Sequence, residues 1–155
     1  MVEKMDKKEI VEVMDDLLAG LRDLQDAAFK KQRALIANKY DQLETALARE
    51  EKILGSLQLI QKRRSSLLEE FKSELALSVN HNKFGEFLKA IKGKVNSDFF
   101  ELLMNKNTEL GFLLSDVNLL NLQNRYLTEQ VRSFNRSLIN ELFGNKKKTL
   151  LDKKI

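Results

Sequence analysis

No proline interrupts this chain anywhere in its 155 residues, and only six glycines do. A backbone with no residue that forbids helix continuation favours a few long helices over many short elements. The side chains agree. From Leu110 to Leu138 apolar residues fall at Leu110, Leu113, Val117, Leu120, Leu127, Val131, Phe134 and Leu138, three and four apart, as in a helix that packs along a heptad seam. Asn124 takes the one slot in that run where an apolar side chain is expected, with Asn118, Asn121 and Asn135 nearby. A buried amide costs desolvation and makes a mediocre helix former, so its use in a seam points to register and partner choice rather than to stability.

The same spacing recurs earlier. Ile10, Met14, Leu17, Leu21, Leu24, Ala28 and Leu35 form one stripe, with Lys31 in its missing slot and Gly20 beside it, where a second helix has room to approach closely. Near Asn38 the apolar phase slips to Ile36, Tyr40, Leu43, Leu47, Leu54 and Leu57, placing a turn at Ala37 to Lys39. The second helix continues through Ile60, Leu67, Leu68, Phe71 and Leu75, with polar interruptions at Glu50, Gln61 and Arg64. Ser78 to Gly93 is less regular: Asn80 or Asn82 caps one short helix, and Lys92-Gly93-Lys94 reads as a turn. Asn96 or Ser97 caps the last helix, and Gly144 supplies the residue that ends it.

The expected fold is all-α: an elongated antiparallel bundle of three long helices plus one short helix with coiled-coil-like packing. Its helices cover about 6–36, 39–77, 82–91 and 97–143, within a single domain of residues 1–145 followed by a basic, flexible tail, 146–155.

Charge narrows the function. The net charge is +4, and the tail alone accounts for it, with five lysines and one aspartate; residues 1–145 hold 22 basic and 22 acidic side chains. A neutral body without tryptophan argues against nucleic-acid binding. No glycine-rich phosphate loop, nucleophile elbow or metal-ligand spacing occurs, cysteine is absent and His81 is the only histidine, so neither an enzyme nor a cofactor or metal is expected. The Lys62-Arg63-Arg64 run reads as stems covering an apolar seam, with Arg63 or Arg64 available for an interhelical pair. The N-terminus leads into no apolar core run and no stretch is long enough to span a bilayer, which reads as a cytoplasmic protein without membrane insertion.

Leu120-Asn121-Leu122-Gln123-Asn124, followed by Leu127, Val131, Phe134, Leu138 and Gly144, is similar to the last helix of the FlgN family of flagellar export chaperones. Ala34-Leu35-Ile36-Ala37-Asn38 with Leu43, Glu50, Ile53-Leu54 and Arg63 resembles that family's first turn and second helix. The resemblance implies a helical cytoplasmic chaperone that binds hook-associated junction proteins before their export, prevents their premature assembly and meets export-gate components. On that reading partner contact is expected from Asn121, Asn124, Tyr126, Leu127, Phe134 and Leu138 of the last helix, together with Leu150, Leu151 and Ile155, apolar tail residues past Gly144 for which the fold has no use. A self-associating structural or adaptor coiled coil is the rival, which heptad seams alone do not separate from a chaperone.

Overall fold

The computed structural model describes residues 7–77 and 84–154, with side chains described as far as Gly144. Four helices follow in order: α1 (Lys7–Ala37), α2 (Tyr40–Glu74), α3 (Phe84–Ile91) and α4 (Ser97–Lys154). There is no strand among the described residues.

Each boundary has a local cause. At the end of α1, Asn38 turns to φ 55°, its N–H donates to the Leu35 carbonyl at 3.3 Å, and the Lys39 N–H donates to the Ala34 carbonyl at 3.0 Å. This is the paired closure of a Schellman motif, with asparagine tolerating the left-handed conformation that glycine usually takes. The turn falls where the phase slip places it. α2 closes in the same way, with Ala76 at φ 53° and the Leu77 N–H donating to the Lys72 carbonyl at 3.0 Å. An alanine carries no sequence signal for that conformation, and the helix ends at Glu74, short of the expected residue 77. Gly93, at φ 81°, makes the expected turn after α3. Of the two candidate caps for α4, Asn96 is the one used: its Oδ1 accepts the Asp98 N–H at 2.8 Å. Gly144 does break the helical geometry, at φ 61° and ψ −169°, but α4 resumes beyond it to Lys154 instead of ending at Phe143. Asn80, His81 and Asn82 lie outside the described residues.

Cross-links between side chains give the helix directions. On α2, Arg49 reaches Asp26 at 2.8 Å, and Arg63 reaches Glu9 at 3.1 Å, so numbers fall on α1 as they rise on α2 and the pair is antiparallel. Arg63 thereby makes the interhelical pair that its position allowed. Arg64 instead lies over the Phe84 ring, 5.0 Å from its centroid, where burial lowers its pKa from the usual guanidinium range. Between α1 and α4 the numbers rise together. Asp15 with Lys106, Gln25 with Asp116 and Gln32 with Gln123 are each 91 residues apart, so these two helices run parallel in one constant heptad register.

Close backbone approach joins α1 to α2 and α1 to α4, while α2 and α4 hardly meet. α1 is therefore the middle helix, and its sequence suits that place. Besides the Ile10 to Leu35 stripe it buries Val13, Leu18, Ala27 and Ala34, so it has apolar surface for a neighbour on either side. Gly20 marks one contact: a Cβ there would fall 2.5 Å from Cδ2 of Leu57, which confirms the close approach of α2.

The core is thickest at one end. Ile10, Met14, Leu68, Phe71, Phe87, Ile91 and Leu103 are essentially sealed where the start of α1, the end of α2, α3 and the start of α4 converge. Phe87 meets Phe71 edge to face at 6.0 Å and stacks on Phe84 at 5.8 Å. Toward the α1–α2 turn the core thins, and Ile36, Tyr40 and Leu47 are exposed.

Candidate partner-binding surface

Asn124 sits on the α4 seam one turn after Leu120 and is only 2% exposed. Its Nδ2 donates to the Ala28 carbonyl of α1 at 3.0 Å, while its Oδ1 is buried without a partner. A buried acceptor left unpaired costs about 1–3 kcal/mol, so this residue spends stability to hold one register between two parallel helices. Asn124→Leu is accordingly expected to leave the melting temperature unchanged or to raise it, while hydrogen exchange in the facing segments of α1 and α4 becomes faster as the register loosens. A variant that melts earlier with unaltered exchange would show that the Ala28 contact contributes more than the orphaned oxygen costs.

Asn121, one turn away, is half-buried, and its Oδ1 also lacks a partner. Both asparagines line a cleft of about 450 Å³ whose other walls include Leu43, Leu47 and Glu50 of α2 and Lys31 and Leu35 of α1. Lys31, in the missing slot of the α1 stripe, and Glu50, one of the polar interruptions of α2, are paired at 3.0 Å with side chains 17% and 14% exposed. Little water screens such a pair, so its geometry fixes how α2 sits against α1 at this level.

Beyond this cleft α4 outruns its neighbour. α1 has 31 residues, about 46 Å at 1.5 Å per residue, whereas Ser97 to Phe143 of α4 spans about 70 Å. Exposure on the seam rises where α1 ends: Leu127 and Val131 are half-buried, Phe134 is 66% exposed, and Leu138 and Leu142 are open. Val131 and Phe134 join Leu35 and Ile36 around a second cleft of about 390 Å³. Asn121, Asn124, Leu127, Phe134 and Leu138 thus follow one side of α4, from inside the packed region to its overhang. Tyr126 does not join them. Helical phase puts it on the opposite face with Phe112, Leu119 and Leu122, all well exposed, a stripe that the seam reading left out. The side chains of Leu150 and Leu151 and the whole of Ile155 lie outside the described residues.

Among the described residues no group of acidic, cysteine or histidine side chains is arranged to hold a metal ion, and no helix is long and apolar enough to cross a membrane. Asp26, held by Lys30 and Arg49, has its carboxyl pKa lowered, and it lies on the α1–α2 side away from these clefts. What the surface offers is apolar contact area on a helix, framed by amides.

The FlgN protein family profile matches residues 1–151. The chain belongs to the FlgN family. No curated protein and no solved structure matches it. The match covers both segments on which the resemblance to FlgN rests, and the structure adds that the Asn38 turn meets the last helix around one cleft, with Leu35, Ile36 and Asn38 beside Val131 and Phe134.

Proposed function

We propose that this FlgN-family chain is a cytoplasmic chaperone of flagellar type III export that binds hook-filament junction proteins and keeps them from assembling before export. Family membership implies the export-chaperone role. The reading that the clients are junction proteins is supported most by the overhang of α4, where Leu138 and Leu142 are apolar and exposed past the end of α1, and Phe134, beside that end, is 66% exposed. Such residues have no role in this fold. They suit a partner whose own amphipathic helix must be covered, in the helix-in-groove mode. The mechanism is binding alone, with no nucleotide or metal, and the segment from Leu150 to Ile155 extends the contact beyond Gly144. Light scattering on the protein mixed with a junction protein tests the reading: a one-to-one complex supports it, and self-assembly that ignores the junction protein overturns it.

The rival is self-association, and the stripe Phe112, Leu119, Leu122 and Tyr126 favours it, because an exposed heptad series is what a second copy would pair with. On the chaperone reading that back face stays free for an export-gate component.

A further inference from the structure

We propose that the open side between α2 and α4 is a helix-binding groove, which takes an amphipathic client helix carrying a neutral hydrogen-bond donor at the level of Asn121. The proposal rests on the chaperone reading and names the part of the surface that selects the client.

Three observations lead to it. First, α2 and α4 both pack on α1 but hardly on each other, so the bundle has one unfilled position, and a fourth helix would complete it. Second, the walls of that position are apolar and incompletely covered. Leu47 on α2 is exposed, and Leu54 and Leu114, one heptad from Leu47 and Asn121 respectively, continue the two walls and are exposed as well. From Tyr40 to Leu54 the α2 wall is about 21 Å long, room for four turns of helix. Third, the groove carries an unmet chemical demand. The carbonyl oxygens of Asn121 and Asn124 are both buried and unpartnered, and Asn124 is 98% covered. A free amphipathic face would accept any apolar helix; two orphaned acceptors reward only one that brings a donor.

The charges beside them decide what kind of donor. Lys31 and Glu50 neutralise each other and Arg125 stands on the cleft wall, so a lysine or arginine from the client would meet an excess positive charge with no anion left to pair it. An asparagine or glutamine amide, or a hydroxyl, meets the demand without that repulsion. Asn121 is the contact of first resort, because it is half-buried on the cleft wall, whereas Asn124 is 2% exposed and anchored to Ala28.

The chain has no cysteine, which makes the test clean. Single variants Leu47→Cys, in the groove, and Phe112→Cys, on the back of α4, are labelled with a polarity-sensitive fluorophore. Each is titrated with synthetic peptides spanning the terminal helices of hook-filament junction proteins, with calorimetry on the unlabelled chain to register binding. The expected result is a blue shift from the Leu47→Cys label and none from Phe112→Cys. Asn121→Ala should weaken the binding peptide about tenfold, and the loss should vanish for a peptide whose amide or hydroxyl donor is replaced by an apolar residue. A peptide that binds by calorimetry without moving the Leu47→Cys label, or that binds Asn121→Ala within about twofold of the parent, overturns the groove while leaving the chaperone reading in place. If no peptide binds, both fall.

Discussion

Phe134→Ser combined with Leu138→Ser is expected to weaken binding of a junction protein by about one to two orders of magnitude and to leave the melting temperature nearly unchanged. Each fully buried side chain of this size contributes about 1.5–3 kcal/mol; Phe134 and Leu138 are 66% and 39% exposed in the free protein, so the area left to bury is worth about one such side chain, and every 1.4 kcal/mol is about tenfold in affinity. The free protein loses almost nothing, because both residues are already exposed in it. Calorimetric titration and a thermal melt on the same preparation separate the two effects. Unaltered affinity would move the client contact off the overhang, to the groove between α2 and α4 or to the segment beyond Gly144. A lowered melting temperature would mean that these residues belong to the fold after all.

Phe87→Ala should do the reverse, with a loss of about 3–5 kcal/mol of stability, a large share of the about 5–15 kcal/mol that holds a domain together. α3 has only eight residues, too short to persist by its own hydrogen bonds, so its side chains must hold it in place. Phe87 is fully buried and joins the rings of Phe71 and Phe84. Its removal leaves a cavity where all four helices meet, and urea denaturation should report the whole loss. Hydrogen exchange should quicken first in Phe84–Ile91, ahead of α1. A change below about 1 kcal/mol would mean that this end collapses around the gap.

Local chemistry was readable wherever the residue itself announces the backbone. Gly93 and Asn96 mark a turn and a cap by their own chemistry, and the turn at Asn38 was legible from the slip in apolar phase. Ala76 carries no such mark, and there the expected boundary runs too far. Gly144 was rightly placed as a break, but nothing in a glycine says whether the helix resumes afterwards. Tertiary relations were harder. Lys31 and Glu50 each stand out as a polar residue in an apolar seam, yet their pairing depends on how α2 folds back over α1. The parallel course of α1 and α4 and its constant offset of 91 residues both emerge only from packing. Of the surface, Asn124 was legible as a buried seam amide and Phe134 and Leu138 as seam residues, but their exposure was not, since it depends on where α1 stops. Tyr126 stands on the other face because two residues along a helix turn the side chain by about 200°. Phe112, Leu119 and Tyr126, spaced by seven, could have been found by following that second phase.

Whether this surface serves a client or a second copy of the chain decides the account. Light scattering on the size-fractionated protein, alone and mixed with a hook-filament junction protein at micromolar concentration, measures that choice directly. The expected result is a monomer of 17.9 kDa alone and a one-to-one complex in the mixture, formed without nucleotide or metal. A stable dimer or larger assembly that ignores the junction protein would contradict it and make the exposed faces of α4 surfaces for self-association.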